Sequence, residues 1–195
     1  MKRIISVLIL VAVCVVALAS CGEAAVSRDA FQTAINNTNP AKVSINTTTT
    51  DALGELKGSF VANFAEDGSF VVNYSYDKWL AIGEGAADEL KKTVSGTVTC
   101  DANGNYSGDD LEGVIGDISG DIALNLNAIT SEVKISADET TLTAVVAAAE
   151  TKAVFGTAYG YDIALTVVMG NGVIQTITMT FTNGGTEAEI FARYE

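Results

Sequence analysis

The sequence predicts a mainly β protein (β-rich α+β): an antiparallel, strongly bent sheet or open half-barrel with an N-terminal helix. Apolar and polar residues alternate with a period of two over much of the chain, which is typical of strands that bury one face. The chain has 18 glycines and only 1 proline, and turn-forming clusters separate the alternating segments. These patterns indicate about eight or nine strands.

A β-hairpin is predicted in the first half of the chain. Large and polar residues alternate over residues 56–64 and again over residues 70–76. The acidic, glycine-containing segment 66–69 between them is typical of a turn. The large residues of both strands are therefore expected on one face.

A third strand is predicted at residues 93–100, ending at a turn around Asn103-Gly104. Shorter alternations predict two more strands, marked by Ile122, Leu124 and Leu126 and by Val133 and Ile135. Near the C-terminus, three apolar segments are separated by Gly170-Asn171-Gly172 and by Gly184-Gly185. They predict an antiparallel meander of three strands over residues 163–194.

One helix is predicted after Ser27, which can cap it, with Asp29 in its first turn and Pro40 beyond its end. Its apolar stripe consists of Phe31, Ala34 and Ile35. Residues 140–155 fit both a helix face and a strand. Their Thr and Val content favours a strand in the first half of this segment.

The N-terminus has the order of parts of a secretory signal peptide. Lys2 and Arg3 precede an uncharged apolar run over residues 4–19, which is shorter than the roughly 20 residues of a permanent membrane span. The run ends in Leu18-Ala19-Ser20-Cys21-Gly22, which resembles the bacterial lipobox, in which the cysteine receives diacylglycerol. We therefore expect cleavage after residue 20, lipidation of Cys21 and a location on the extracytoplasmic side of a cell membrane. The alternative is an ordinary signal peptide that leaves Cys21 as a free thiol.

Removal of residues 1–20 leaves 175 residues, which suits one domain. We expect a short lipidated tether over residues 21–26 and a single β domain over residues 27–195. The mature chain has 11 − 2 = 9 basic and 24 acidic residues, a net charge of −15. Such a charge argues against nucleic acid or an anionic head-group surface as the partner.

The chemistry of common active sites is sparse in this sequence. It contains no histidine, which excludes a Ser-His-acid triad and the common His-bearing zinc sites. Cys100 follows Val94, Gly96 and Val98 at strict alternation, so it is expected as a buried thiol rather than a nucleophile. We therefore predict no enzyme activity and no cofactor.

A calcium loop is one interpretation of residues 101–112. Asp101, Asn103, Asn105, Ser107, Asp109 and Glu112 fall at positions 1, 3, 5, 7, 9 and 12 of the calcium-loop pattern. Tyr106, however, stands at the sixth position, where the pattern needs glycine, and the flanking segments are predicted strands. The other interpretation is a polar hairpin turn with an acidic loop.

Aromatic residues are concentrated in the predicted hairpin and just after it: Phe60, Phe64, Phe70, Tyr74, Tyr76 and Trp79. The first five can line a single face, which would be an apolar concave surface if the sheet bends. The alternative is that they form an ordinary core, as aromatic residues commonly do.

The lipid-anchored start, the short helix ending in Thr38-Asn39-Pro40, the antiparallel sheet and the last alternating stretch over residues 172–181 together resemble lipoproteins of the LolA, LolB and LppX type. The resemblance is one of layout and implies a half-barrel whose cavity holds acyl chains. It transfers no binding residue, and the family's covering helices are more numerous than the one predicted here.

Two functions remain as hypotheses. The first is a membrane-anchored protein that binds a lipid-like ligand in a half-barrel. The second is a structural or adhesive envelope lipoprotein with a closed core that meets a protein or glycan partner. A ligand-sized apolar cavity would distinguish them, because packed cores contain few voids larger than a water molecule.

Overall fold

The computed structural model describes residues 27–79, 91–108 and 123–195. The predicted signal peptide, the lipobox-like segment and Cys21 lie outside these residues. The described helices are α1 (Arg28–Asn37) and α2 (Thr151–Phe155), and a 3-10 turn spans Leu126–Ala128. The strands are β1 (Lys42–Asp51), β2 (Gly54–Phe64), β3 (Phe70–Trp79), β4 (Lys91–Cys100), β5 (Tyr106–Gly108), β6 (Val133–Ile135), β7 (Thr141–Val146), β8 (Ile163–Gly170), β9 (Val173–Asn183) and β10 (Thr186–Tyr194).

All ten described strands belong to one open antiparallel sheet in the order β5-β4-β3-β2-β1-β10-β9-β8-β7-β6. Consecutive strands lie side by side within β1–β5 and within β6–β10, so the sheet consists of two five-stranded meanders whose edge strands are β5 and β6. We call β1–β5 the N-terminal meander and β6–β10 the C-terminal meander. They join through β1 and β10, where Val43 pairs with Tyr194 and Thr50 with Glu187. The predicted mainly β fold with an open antiparallel sheet and an N-terminal helix is confirmed.

One face of this sheet is apolar along its whole width. Because directly paired residues on antiparallel strands point to the same side, the pairing register traces a continuous row from β4 to β6. We call this side the inner face and the other side the outer face. The row consists of Gly96, Tyr74, Phe60, Ile45, Ala192, Ile177, Val167, Leu142 and Ile135.

Helix α1 packs on the inner face of the C-terminal meander. Its predicted stripe of Phe31, Ala34 and Ile35 is buried, as expected from the helical spacing. The helix begins after Ser27, whose extended backbone takes the N-cap position although its hydroxyl makes no capping hydrogen bond. At the other end, the Thr38 hydroxyl donates to the Ala34 carbonyl over 2.7 Å and accepts the Ile174 N–H over 2.8 Å. This buried hydroxyl therefore links α1 to β9.

The prediction of a strand through Leu124 and Leu126 is wrong for the described part of that segment, since residues 123–125 are irregular and the 3-10 turn follows. Both leucines are buried, as the alternation requires. Their backbone partners come from helices instead of a neighbouring strand. The Gln32 side chain donates to the Leu124 carbonyl and accepts the Leu126 N–H, and the Asn125 N–H donates to the Val154 carbonyl.

The remaining local predictions that fall on described residues are confirmed. The hairpin is formed by β2 and β3, and the segment marked by Val133 and Ile135 is β6. The first half of residues 140–155 is strand β7, as favoured, and the second half contains the short helix α2. At the β8–β9 turn, both Asn171 and Gly172 have positive φ, which is the conformation that favours Asn-Gly at a tight hairpin turn.

Cys100 ends β4 on the inner face and is 6% exposed. It belongs to a small cluster with Ala62, Phe70 and Val72. The prediction of a buried thiol is therefore confirmed. No helix within the described ranges is long and apolar enough to span a membrane.

Candidate functional site

The candidate site is the aromatic patch, which we define as Phe60, Phe64, Phe70, Tyr74 and Tyr76 on the inner face of β2 and β3. Phe64 pairs with Phe70, Phe60 pairs with Tyr74, and Tyr76 pairs with Gly58. The register therefore brings all five predicted residues to one side of the sheet. Trp79, the sixth candidate, does not join them.

The patch divides into two groups of rings. Phe60 stacks on Tyr76 with centroids 6.4 Å apart, and Tyr74 lies 6.1 Å from Tyr76. Phe64 and Phe70 form the second group, with centroids 5.7 Å apart. Offset and edge contacts at these separations are favourable beyond the area that they bury.

Burial differs within each group of rings. Phe70 belongs to the small buried cluster, and Tyr74 is buried as well. Phe60, Phe64 and Tyr76 are half-buried, with Phe64 packed against the small cluster. The three half-buried rings are therefore the part of the patch that keeps some apolar surface, and Phe60 and Tyr76 form a stacked pair within it.

Gly58 makes the Phe60–Tyr76 stack possible. A Cβ atom placed on Gly58 would come within 2.5 Å of the Thr47 Oγ1 and 3.1 Å of a Phe60 ring carbon. Both approaches are closer than ordinary van der Waals contact. The absence of a side chain at residue 58 thus leaves the space that the rings from β2 and β3 fill.

Trp79 lies at the end of β3, on the opposite side of the strand from Tyr74 and Tyr76 by strand alternation. Its indole N–H donates to the Asp51 carboxylate over 3.1 Å. The same carboxylate accepts the Leu53 N–H, and this hydrogen bond lowers the pKa of Asp51 from its usual value. Trp79 therefore braces the β1–β2 turn and lies apart from the aromatic patch.

Two residues that the sequence did not suggest belong to the surroundings of the patch. Ile45 of β1 pairs with Phe60 and is half-buried on the inner face. Tyr106 of β5 meets Phe70 edge-on with centroids 5.9 Å apart. The spacing of Val43 and Ile45 by two residues is a sequence signal that places Ile45 on a buried face. Tyr106 carried no such signal, because the sequence placed it in the calcium-loop pattern.

The polar character of the inner face changes along β1. Val43 and Ile45 are followed on the same side by Thr47 and Thr49, which are half-buried. Thr47 lies in the row of Gly58 and Tyr76. Hydroxyl groups therefore border the patch at the end where the Phe60–Tyr76 stack is located.

Apolar surface continues from the patch across β10 and β9. Ile190 pairs with Met179, and both are half-buried on the inner face. Beside them Tyr194 pairs with Val43 at the junction of the meanders. Burial raises the pKa of Tyr194 to about 12, so its phenol is neutral at physiological pH. The junction therefore adds no charge to the inner face.

The described part of the calcium-loop pattern forms a self-contained turn. Asp101 Oδ1 accepts the backbone N–H groups of Asn103 and Asn105 over 2.8 and 2.9 Å, and the Asn105 side-chain amide donates to Asp101 Oδ2. These bonds, led by that of the Asn105 amide, lower the pKa of Asp101. Ser107 lies in β5, and Asp109 and Glu112 lie outside the described residues. Within the described ranges, no group of three or more His, Cys, Asp or Glu residues is placed to hold a metal ion.

A polar groove of about 570 Å³ lies mainly on the outer face, across β7, β8, β9, β10 and β1. Its walls carry hydroxyl and carboxylate groups, notably those of Thr48, Thr180, Asp162, Glu187 and Glu189. The groove suits a ligand rich in hydrogen-bond donors and differs in chemistry from the aromatic patch.

No family model matches this sequence, and no curated protein matches it. Among solved structures, the chain is similar to LprF from Mycobacterium bovis, with 10% sequence identity over 85% of this chain and 90% of that chain. The TM-score is 0.43. With so low a TM-score, the likeness assigns neither a fold nor a function to this chain.

Proposed function

We propose that this protein is a lipid-anchored envelope protein that holds an acyl-chain-like ligand against the aromatic patch. The observation that carries the proposal is the half-buried Phe60–Tyr76 stack, set in an apolar face that runs across an open sheet. Half-buried flat rings offer apolar surface that suits a flexible hydrocarbon chain. The resemblance of residues 18–22 to a lipobox supports the proposal, since an anchor on Cys21 would keep such a protein where its ligand resides.

The expected affinity follows from the apolar area that a ligand covers. Burial contributes about 25 cal/mol per Å², so covering a few hundred Å² supplies several kcal/mol. Part of this is lost in ordering the ligand. We therefore expect dissociation constants on the order of micromolar.

The ligand is expected to have a polar head. Its chain would lie over Ile45 and the Phe60–Tyr76 stack, and its head would lie near the Thr47 and Thr49 hydroxyls. A carboxylate or phosphate head can accept hydrogen bonds from these hydroxyls. A single-chain amphiphile fits this arrangement better than a fully apolar hydrocarbon does.

Phe60→Ala tests the proposal with a fluorescent fatty-acid analogue as the probe. Loss of the stacked ring should weaken probe binding by about tenfold while changing the melting temperature little, because Phe60 is half-buried. Phe191→Ala is the matched control, since Phe191 is a half-buried phenylalanine on the outer face at the centre of the sheet. This control should keep the affinity of the wild type.

Failure of the wild type to bind the probe, together with a large drop in melting temperature for Phe60→Ala, would show that the patch is ordinary core. Native mass spectrometry of the purified protein gives an independent check, because a bound amphiphile adds its mass to the folded chain.

The outer-face groove favours a second candidate function, that of an adhesive envelope protein. Its hydroxyl and carboxylate groups can accept and donate hydrogen bonds to a glycan or to a basic peptide. Substitution of Glu187 and Glu189 by Gln would weaken binding of such a partner and leave binding of the acyl probe unchanged. The two functions are therefore separable on opposite faces of the same sheet.

A further inference from the structure

We propose that the end of the sheet that carries Leu53 and Trp79 lies against the bilayer surface and orients the anchored protein. We call this end the near rim; it contains the β1–β2 turn. The inference rests on the proposed lipid anchor at Cys21 and adds a second contact with the membrane.

The first argument is the place where the tether meets the sheet. The Arg28 guanidinium at the start of α1 donates to the Ile129 carbonyl over 2.7 Å. Two residues later, the Ser131 hydroxyl donates to the carbonyl of Val145 at the end of β7. The N-terminus of α1 is thereby held at the end of the sheet where β7 finishes.

The same end of the sheet carries the β1–β2 turn. The pairing register leads from Val145 through Ala164, Thr180 and Glu189 to Thr48. From Thr48, β1 continues in the direction of the near rim and turns after Asp51. The tether and Leu53 therefore lie towards the same end of the strands.

The second argument is the length of the tether. Six residue steps separate Cys21 from Ser27, which allows a reach of at most about 20 Å. Strand β1 has 10 residues and is about 33 Å long. The near rim can therefore touch the bilayer. When the strands stand upright on the membrane, the opposite rim, at the β8–β9 turn, lies about one strand length further from the bilayer.

The third argument is the chemistry of the near rim. Leu53 is 64% exposed, the largest exposure of any large apolar residue within the described ranges. Asp51 ties it to Trp79, because its two carboxylate oxygens accept the Leu53 N–H over 2.8 Å and the indole N–H over 3.1 Å. A leucine at a turn tip beside a half-buried tryptophan is the combination that favours the boundary between headgroups and acyl chains.

The charge around the turn is close to balanced. The described residues of β1 to β4, with Glu187 and Glu189 of β10 that pair with Thr50 and Thr48, provide four lysines against five carboxylates, a local sum of 4 − 5 = −1 in a mature chain of −15. An anionic membrane surface therefore repels this region less than it repels the protein as a whole. The residues counted are Lys57, Lys78, Lys91 and Lys92 with Asp51, Glu55, Asp77, Glu187 and Glu189.

Trp79 is the only tryptophan of the chain, so its fluorescence reports on this contact. The full lipidated protein is reconstituted into phosphatidylglycerol and phosphatidylethanolamine vesicles with or without brominated acyl chains. Bromine should remove about half of the tryptophan emission or more if Trp79 is at the interface. Leu53→Asp should restore most of the emission although the protein still floats with the vesicles.

Val173→Asp is the matched control, because Val173 is 38% exposed at the opposite rim. It should leave the quenching unchanged. Wild-type protein that floats with vesicles but shows unquenched Trp79 would overturn the proposed orientation and leave the anchor intact. A concentration-dependent dimer that is lost in Leu53→Asp would overturn it in favour of a second copy of the chain.

A separate experiment tests the lipid anchor independently of the orientation. Cys21→Ser should abolish lipid labelling and flotation, since the thioether requires the cysteine sulfur. A wild-type protein that does not float, with an N-terminal mass that lacks diacylglycerol, would refute the anchor before any question of orientation arises.

Discussion

The two meanders have the same number of strands and the same alternation, yet they bury their inner faces differently. In the described residues, the C-terminal meander shares a cluster of 15 buried residues with α1, α2 and the segment around Leu126. The cluster confined to the N-terminal meander has four: Ala62, Phe70, Val72 and Cys100. Among the described residues, the larger buried cluster is therefore the one in which helices pack on the sheet.

The side chains of the two inner faces differ accordingly. Aliphatic residues such as Leu142, Leu165 and Val167 share a buried cluster with the apolar stripe of α1, whereas rings fill the equivalent rows of β2 and β3. Branched aliphatic chains pack densely against a helix. The rings of Phe60, Phe64 and Tyr76 are half-buried, and the proposed ligand would lie against them.

The largest expected effect that tests this comparison is on stability. Phe31→Ala removes a fully buried ring from the large cluster and should lower the free energy of unfolding by about 3–5 kcal/mol. Phe60→Ala, at a half-buried position of the aromatic patch, should cost about 1 kcal/mol. Urea unfolding of both variants measures the difference. Equal losses would mean that both meanders contribute the same kind of core.

A smaller effect is expected at the contact between α1 and the sheet. Thr38→Val leaves the buried Ile174 N–H without its acceptor, and we expect a loss of about 1–3 kcal/mol in the free energy of unfolding. Thr38→Ser keeps the hydroxyl and is the control. If both substitutions cost the same, the methyl group rather than the hydrogen bond holds α1 on β9.

The smallest effect concerns local opening. Thiol reagents should modify Cys100 slowly in the folded protein and fast in urea, because the thiol is buried. Since its cluster is small, we expect the opening free energy at Cys100 to be about 1–2 kcal/mol below that of global unfolding. Labelling kinetics in native buffer measure this value. An opening free energy equal to the global one would show that the two meanders unfold as a single unit.

Local patterns in the sequence were sufficient for the hairpin β2–β3, the three-stranded meander β8–β10 and the span of α1. In each case a strand or helix partner lies next to it in the chain, or the apolar spacing alone defines the buried side. The same local information was misleading at Leu124 and Leu126. Their alternation correctly indicates that both residues are buried. Their backbone groups, however, bond to the Gln32 side chain and not to a neighbouring strand, which alternation normally implies.

Strand β1 was not predicted, although it occupies the centre of the sheet. Its run of threonines over residues 47–50 places the same residue type on both faces, so the period of two disappears from the sequence. Its partner β10 lies at the other end of the chain, as the pairing of Val43 with Tyr194 shows.

By itself, then, the sequence determined which residues of β2 and β3 share a face, because side-chain alternation is a property of the strand alone. The tertiary structure decided how buried each of them is. Phe70 and Tyr74 are buried, whereas Phe60, Phe64 and Tyr76 are half-buried. The degree of burial depends on the order of the strands in the sheet and on the segments that pack over each row of the inner face. Both arise from contacts between segments far apart in the chain, which no local pattern encodes.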